Sequence, residues 1–332
     1  MKIQTGPDEF RNCEDIVLSP TEPGIAYTAC DPARDYKNMV MDIHHPMTHP
    51  QPGYIWRVDY IQKTATQLFT LEGDTDFHPL GLALVNPSLL MVINLRHQNP
   101  ASIELFSLTE AQHIRTITHP KIYAPNSIHI LKGRSAPDGT PSFFFTNDHY
   151  FLKGTKKKLE NFGRLPLASV MFFDAFSHTV YPVARGFLFA NGLAGDHKHV
   201  LFVAETNRMA INRYDIIVED NIQLQFVNKV TMPMAVDNIH YDAQTGDVLV
   251  AGHPFVLDLL KFLHYNDGAT IKNSKKPASQ VMVWHTNTNQ VEDIFVDDGT
   301  LYPTTSSAVI DHESRSLVIS GLYAQGILVC DQ

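Results

Sequence analysis

Hydrophobic and polar positions alternate over short runs along most of the chain, and no long amphipathic helix pattern interrupts them. Runs of β-branched and aromatic residues, such as those at 89–95, 142–148 and 316–322, are bounded by Gly, Pro, Asn and Asp. Short runs of this composition between turn-forming residues are typical of β-strands. The pattern therefore predicts an all-β chain.

A loose repeat connects several of these runs. The segments 190–215, 237–252 and 308–330 each contain an apolar strand, a turn with Asp or Gly, and a second apolar strand. Such units are antiparallel meanders, and their recurrence about every 50 residues is typical of propeller blades. The length of 332 residues then corresponds to about six blades in a single domain over 1–332. Two β-sandwiches would have similar strand content, but their units would not repeat in this way.

Two stretches predict minor helical insertions between the strands. The segment 153–164 is basic and predicts a surface loop or short helix, and 256–268 has the apolar spacing of a helix. We expect the second segment to cover one face of the barrel. A membrane-touching surface is its alternative interpretation.

Composition and charge narrow the class of protein. The chain is 44% hydrophobic and 18% charged, an ordinary globular balance, and its net charge of −9 disfavours nucleic acid as a partner. No apolar stretch has the length of a membrane span, and none near Met1 has that of a signal peptide. As the chain stands, this predicts a cytoplasmic protein, whereas a missing N-terminal segment would make it secreted or membrane-anchored. The oligomeric state is not predicted.

The three cysteines are too few and too scattered for a disulfide framework or a zinc site. Two interpretations of Cys13, Cys30 and Cys330 stay open. A bridge from Cys330 to an early cysteine would close a ring of strands, whereas reduced buried thiols would suit the cytosol.

Carboxylates and carboxamides are concentrated at the boundaries of the repeated units. They occur in the segments 13–15, 146–149, 190–192, 236–238 and 252–254. A single Asn-Asp pair is usually a turn that binds its own backbone. Here each pair adjoins an apolar strand, and the inner strands of a propeller converge on one tunnel. Oxygen side chains gathered there need compensation, which calcium provides because it binds oxygen ligands in flexible geometry.

The text of these segments resembles the paraoxonase and arylesterase family of calcium-dependent lactonases. The matching runs are CEDIVL at 13–18, FFTNDHYFL at 144–152, GFLFANGL at 186–193 and VDNIHYDAQTGDVLVAGHP at 236–254. They occur in the same order from residue 13 towards the C-terminus, so the resemblance covers nearly the whole chain. It implies a six-bladed β-propeller with two calcium ions (Ca2+) in a central tunnel.

The resemblance also implies which residues bind the two ions. The catalytic calcium would be held by Glu14, Asn147, Asn191, Asp237 and Asn238. The deeper, structural calcium would be held by Asp15, Asp148 and the backbone carbonyl of Leu82. Two of these ligand pairs are neighbours in sequence, so their side chains diverge and serve both ions.

The family also has a histidine pair above the catalytic calcium that is assigned to activating water. Its first histidine follows Phe-Asn-Pro, and this sequence has Leu80 at that position. His78 lies two residues earlier, His97 lies near the position of the second histidine, and His253 matches the family more cleanly. With Glu14, these three histidines are the candidate catalytic residues.

The leading hypothesis for function is calcium-dependent hydrolysis of lactones or activated aryl esters, because a bound cation polarises a carbonyl and stabilises the oxyanion. Leu80, Phe189 and Phe255 predict a pocket for a hydrophobic small-molecule substrate. No Gly-x-Ser-x-Gly elbow supports a serine hydrolase. Two alternatives stay open: a non-hydrolytic cyclase or isomerase on the same scaffold, and a ligand-binding propeller.

Overall fold

Strands dominate the chain and helices are few. The computed structural model describes residues 2–3, 8–47, 49, 51–71, 73–265 and 276–331. Within these residues the α-helices are α1 (Gly154–Phe162) and α2 (Val256–Tyr265), and neither has the length and hydrophobicity to cross a membrane. The all-β prediction is confirmed, and both helices lie where insertions were predicted. Residues 266–268 of the second predicted insertion lie outside the described part.

The described strands are short and follow one another closely. The first are β1 (Lys2–Ile3), β2 (Arg11–Leu18), β3 (Ile25–Cys30), β4 (Lys37–Asn38), β5 (Ile43–His44), β6 (Tyr54–Asp59), β7 (Thr64–Phe69), β8 (Pro79–Asn86), β9 (Leu89–Asn94), β10 (Ser102–Ser107), β11 (Gln112–Ile117), β12 (Pro125–Ser135) and β13 (Pro141–Asn147). The others are β14 (Ala168–Asp174), β15 (Thr179–Phe187), β16 (Ala190–Gly195), β17 (Val200–Glu205), β18 (Ala210–Val218), β19 (Ile222–Thr231), β20 (Ala235–Tyr241), β21 (Val248–His253), β22 (Ser279–His285), β23 (Gln290–Asp297), β24 (Thr305–Asp311), β25 (Ser316–Gln325) and β26 (Ile327–Asp331).

Most of these strands form four-stranded antiparallel meanders. Four separate sheets contain β8 to β11, β12 to β15, β16 to β19 and β20 to β23. A larger sheet of eight strands has the order β1-β26-β25-β2-β3-β6-β7, with β24 also paired to β25. Because β1 pairs with β26, strands from the two ends of the described chain meet in this sheet.

The inner strands of the meanders contact one another and form a central ring. Strand β2 contacts β8, β8 contacts β12, β12 contacts β16, β16 contacts β20, β20 contacts β24, and β24 contacts β2 again. The ring is therefore closed and the arrangement is propeller-like, with the hydrophobic cores between neighbouring sheets.

Middle strands are apolar at consecutive positions because both of their faces are covered. In β13, Phe143 and Phe145 pack in one core with Met171 and Phe173, whereas Phe144 packs in another with Phe172. Alternate side chains of a strand point to opposite faces, so a strand between two cores needs a continuous apolar run. Burial of each phenylalanine side chain stabilises the folded protein by about 1.5–3 kcal/mol relative to leaving it exposed.

The cysteines adopt neither arrangement considered from the sequence. Cys13 and Cys30 form a disulfide between β2 and β3, where they are register partners. Cys330 is a half-buried thiol in β26, whose neighbours are β25 and β1. A bridge from Cys330 and a set of three reduced thiols are therefore both wrong. The two ends of the described chain are joined instead by the backbone pairing of β1 with β26.

Candidate functional site

A cavity of about 270 Å³ lies over one end of the central ring. Five central strands each contribute to its lining, and the contributing residues are Glu14 of β2, Leu80 of β8, Asn126 of β12, Asn191 of β16 and Asp237 of β20. Both helices also line the cavity, α1 through Phe162 and α2 through Leu259, Leu260 and Leu263. The predicted helical cover of one face is therefore present, and it encloses a site lined by polar oxygens.

Each central strand has an irregular register at its site residue. The pairing shifts within 13–15 of β2, 79–82 of β8, 125–128 of β12, 190–193 of β16, 236–239 of β20 and 305–307 of β24. Such bulges redirect side chains that would otherwise follow the alternation of the strand. At Gly192, β16 lies close to Asn238 of β20. A side chain would not fit there, because a Cβ at Gly192 would lie 2.7 Å from Asn238 Cα.

Four buried carboxylate and carboxamide oxygens on the central strands have no hydrogen-bond partner among the described residues. They are Glu14 Oε2, Asn126 Oδ1, Asn191 Oδ1 and Asn238 Oδ1. Their residues are at most 3% exposed, so water does not satisfy these oxygens from outside. Leaving such a buried group unpaired costs about 1–3 kcal/mol. We call Glu14, Asn126, Asn191, Asp237 and Asn238 the oxygen cluster.

Hydrogen bonds within the site determine which atoms of the asparagines stay free. In all three, the Nδ2 amide donates to a carboxylate and the carbonyl oxygen is left over. The pairs are Asn126 with Asp148 Oδ2 at 3.3 Å, Asn191 with Asp237 Oδ1 at 2.8 Å, and Asn238 with Glu14 Oε1 at 2.8 Å. The atoms left free to bind a metal ion are therefore all oxygens, which fits calcium.

The electrostatics of the oxygen cluster also favour a cation. Burial, followed by the nearby carboxylates of Asp15 and Asp237, raises the pKa of Glu14 well above its usual value. An ionised carboxylate is disfavoured here because it is removed from water and faces like charges. A divalent cation would reverse both effects by adding opposite charge at the free oxygens.

The structure does not bring Asn147 into this cluster. Its Oδ1 accepts from the backbone amides of Tyr123 and Ala124, at 3.3 and 3.1 Å, and its Nδ2 donates to the carbonyl of Lys121. Asn147 thus closes the loop before β12, and the asparagine of this sheet that lines the cavity is Asn126. Little in the sequence pointed to Asn126, because it has no acidic neighbour and follows Pro125.

The predicted ligands of the deeper ion do not come together either. Asp15 Oδ1 accepts from Ser307 Oγ at 2.8 Å and lies 3.3 Å from His240 Nε2, while Asp15 Oδ2 accepts from the Leu82 amide at 3.1 Å. We call Asp15, Leu82, His240 and Ser307 the Asp15 network. Leu82 presents its N–H to the carboxylate rather than its carbonyl. Both oxygens of Asp15 are thus hydrogen-bonded within the protein, and Asp148 lines a different cavity from Asp15.

The candidate catalytic histidines lie in two separate places. His253 lines the cavity of the oxygen cluster, and its Nε2 lies 3.1 Å from Asp237 Oδ2. His78 and His97 do not line that cavity, and the centroids of their stacked rings lie 3.3 Å apart. Burial, followed by the charge of His78, lowers the pKa of His97 to about 3. His97 is therefore neutral at physiological pH.

His78 has a structural partner that the sequence did not indicate. Its Nδ1 lies 3.2 Å from Asp31 Oδ1, and the same oxygen accepts from the Ala33 amide at 3.1 Å. Asp31 caps the 3₁₀ turn Pro32–Asp35 in this way. The ligand atoms of Asp31, His78 and His97 lie within 4.8 Å of one another, a nitrogen-rich set unlike the oxygen cluster. The pair His78 and Asp31 therefore supports the turn beside the cavity.

Two of the three predicted pocket residues line the cavity. Leu80 and Phe189 form part of its wall, whereas Phe255 does not and is 62% exposed. The sequence had no means of placing Phe255, because it precedes α2 and the apolar lining comes from the helix itself.

Comparison with known proteins agrees with this architecture. The chain is similar to serum paraoxonase/lactonase 3 of Homo sapiens, with 28% identity over 279 residues that cover 79% of this chain and 73% of that protein. Its fold is similar to a gluconolactonase of Xanthomonas campestris, with TM-score 0.57 and 14% identity over 99% of this chain and 87% of that chain. It is also similar to regucalcin, a calcium-binding protein of Agrobacterium tumefaciens, with TM-score 0.54 and 10% identity over 96% of this chain and 84% of that chain.

The structural similarities, at such low identity, show the fold alone. The family comparison carries more, since the arylesterase family model matches residues 45–332. The resemblance found in the sequence motifs is thereby confirmed: the chain belongs to the arylesterase family.

Proposed function

We propose that the chain is a calcium-dependent hydrolase of lactones or activated aryl esters, with its active site in the cavity over the oxygen cluster. The observation that carries the proposal is the set of four buried oxygens without partners, presented by bulged central strands. Family membership supplies the reaction class, and the oxygen cluster supplies the reason for calcium.

The proposed ligands are the five residues of the oxygen cluster. Glu14 and Asp237 provide the negative charge, and the asparagine carbonyls complete a set that contains only oxygen. When bound, calcium would polarise the substrate carbonyl and stabilise the oxyanion. We propose one ion, because the buried oxygens without partners that could bind it are those of Glu14 and the three asparagines of the oxygen cluster.

His253 is the residue we propose to accept a proton from water. Its Nε2 faces Asp237, and its buried Nδ1 has no partner among the described residues. Contact with a carboxylate holds the imidazole with Nε2 protonated, which leaves the Nδ1 lone pair as the base. His78 and His97 do not line the cavity, and Leu80 carries no titratable group.

The cavity walls favour a substrate with an apolar body. Leu80, Phe189 and Leu263 enclose the space above the oxygen cluster. Apolar walls exclude bulk water and so strengthen the electrostatic interactions at the carbonyl. This supports lactones or aryl esters of hydrophobic small molecules as the substrate class.

The scaffold we propose for this chemistry is a six-bladed propeller. The eight-stranded sheet then consists of two blades, one with β2, β3, β6 and β7 and one with β24, β25, β26 and β1. In the described strands, the backbone pairing between them is that of Arg11 and Cys13 of β2 with Gln325 and Gly321 of β25. Each blade would contribute one bulged inner strand to the ring.

Hydrolysis assays on matched variants test the proposed function. We expect the protein to hydrolyse members of a panel of aliphatic lactones and aryl esters, and a chelator to abolish this activity. Glu14→Gln should lower kcat/KM by at least about 100-fold because a charged ligand is lost. Glu219→Gln, an exposed change in the turn after β18, serves as the control and should retain activity. Hydrolysis that is unaffected by the chelator and by Glu14→Gln would contradict the proposal.

A further inference from the structure

A buried guanidinium lies in the cavity and has no role in the proposed metal centre. Arg34 is 6% exposed and lines the cavity together with Glu14 and Asp237. Its Nη2 donates to the carbonyl of Pro79 at 3.3 Å, and its Nε has no partner. A buried charge normally has a partner of opposite charge, because it is otherwise costly to remove from water.

Arg34 differs in this respect from other arginines in the described chain. Arg11 is paired with Asp35, and Arg96 with Asp74 and Glu104, all within 3.3 Å. Arg34 has no carboxylate within 4.0 Å among the described residues, and its attraction to Glu14 and Asp31 acts over a longer distance. A buried guanidinium without a direct ion pair at the wall of a cavity indicates a ligand that supplies one.

The guanidinium is held in place by the turn that carries it. Arg34 belongs to the 3₁₀ turn Pro32–Asp35, which is capped by Asp31. Asp31 in turn lies 3.2 Å from His78, and Pro79 accepts the hydrogen bond from Arg34. The turn and the start of β8 therefore fix each other. A guanidinium that is held in place in this way binds a ligand with little loss of conformational entropy.

Among the side chains that line the cavity, positive charges outnumber negative ones once a divalent cation is bound. The ionisable side chains of its lining, apart from His253 and Tyr323, are the carboxylates of Glu14 and Asp237 and the guanidiniums of Arg34 and Arg164. A calcium ion would balance the two carboxylates, so the two guanidiniums would remain. A neutral lactone would leave Arg34 without a partner, whereas an anionic substrate would supply one.

We propose that Arg34 binds a carboxylate on the substrate, and that the substrates are therefore lactones or esters with an apolar body and an anionic substituent. This inference rests on the proposed function. A carboxylate matches the planar fork of a guanidinium and accepts two hydrogen bonds from it. The reacting carbonyl lies at the oxygen cluster, the carboxylate at Arg34, and the apolar body against Leu80 and Phe189.

Binding of two matched lactams tests this assignment without relying on turnover. Both ligands have the same six-membered lactam ring, which resists hydrolysis, and side chains of equal length that end in a methyl group or a carboxylate. We expect the calcium-loaded protein to bind the carboxylated lactam about 10- to 100-fold more tightly, as one charge-assisted hydrogen-bonded pair would produce. Isothermal titration calorimetry measures both affinities.

Variants of Arg34 separate the guanidinium from the rest of the cavity. Arg34→Gln should abolish the preference for the carboxylated lactam, and Arg34→Lys should retain part of it. Arg185→Gln, an exposed change on β15, is the matched control and should keep the full preference. Thermal unfolding identifies variants that do not fold, and Arg34→Met is the replacement if Arg34→Gln is among them. Equal affinity of the wild type for both lactams, or a preference that survives Arg34→Gln, would overturn the assignment.

Hydrolysis of the corresponding lactones distinguishes this inference from the proposed function. Chelator-sensitive hydrolysis of both lactones with equal kcat/KM and equal lactam binding would overturn the role of Arg34 and leave the hydrolase intact. Selective binding of the carboxylated lactam without hydrolysis of either lactone would support Arg34 and contradict the hydrolase. An equal loss of kcat on both lactones in Arg34→Gln, with no change in selectivity, would place Arg34 at the oxyanion and overturn the inference.

Discussion

The oxygen cluster and the Asp15 network are built from the same central strands, yet the adjacent carboxylates of Glu14 and Asp15 differ in their hydrogen bonds. Glu14 leaves Oε2 without a partner, whereas the next residue, Asp15, has hydrogen bonds to both oxygens. The difference follows from the neighbours. The asparagines offer one donor and leave a carbonyl, but Ser307, His240 and the Leu82 amide are all donors to Asp15. A row of acidic residues at a propeller axis therefore indicates a cation only where the protein does not supply the donors itself.

The largest expected effect separates the two regions by their calcium affinity. Asp237→Asn removes a negative ligand from the oxygen cluster and should weaken calcium binding by at least about 100-fold. Asp15→Asn removes a charge that lies outside the lining of the cavity and should change the affinity less than about 3-fold. Competition with a fluorescent chelator measures both. A larger loss for Asp15→Asn than for Asp237→Asn would reverse the comparison.

The second effect concerns folding rather than binding. Asp15→Ala would leave the donors of Ser307, His240 and Leu82 without an acceptor, so we expect the free energy of unfolding to fall by about 3 kcal/mol. The exposed Asp220 provides the control, and Asp220→Ala should stay within about 0.5 kcal/mol of the wild type. Urea unfolding in the presence of a chelator measures both. A loss below about 1 kcal/mol for Asp15→Ala would show that the Asp15 network contributes little to stability.

A smaller effect is expected in the pH dependence of stability. Glu14 has a pKa well above its usual value of 4.5 because of burial, so in the calcium-free protein its contribution is fully present below pH 4.5 and is lost as pH rises through the raised pKa. Calcium binds the ionised form, so the stabilisation by calcium should grow over the same range. Thermal unfolding from pH 5 to 8, with calcium and with chelator, measures the difference. Glu14→Gln should remove the slope, and a slope that persists would assign it to another group.

The smallest expected effect concerns the disulfide next to the oxygen cluster and the Asp15 network. Cys13 precedes Glu14 and Asp15 in β2 and is bridged to Cys30. Alkylation of the denatured, unreduced protein should modify Cys330 alone, and prior reduction should expose the other two thiols. Mass spectrometry counts the labels. Labelling of all three without reduction would contradict the bridge.

The strand pattern made the fold predictable, whereas the bulges limited prediction of the site. Continuous apolar runs such as that of β13 report two covered faces, and their repeat reports the meanders. The alternation rule fails at the register shifts, however, and Asn126 lies in one of them. Asn147 has the more conspicuous sequence context but binds the backbone of the loop before β12.

The hydrogen bonds of Asp15 could not be predicted from the sequence for a related reason. Its partners Ser307 and His240 come from β24 and β20, and nothing in the local sequence identifies them as donors to this carboxylate. The disulfide likewise depends on register, since Cys13 and Cys30 face each other across β2 and β3. Pairing across strands is a property of the folded sheet, so residue spacing alone did not reveal it.

Calcium content and hydrolysis measured together test the central claim most directly. The protein is freed of unbound ions, its calcium is counted by mass spectrometry, and lactone hydrolysis is followed before chelation, after chelation and after calcium is returned. We predict one calcium ion per chain, with the ion and the activity lost and restored together. A protein that binds no calcium, or whose hydrolysis continues after the ion is removed, would contradict the assignment of the oxygen cluster as the catalytic centre.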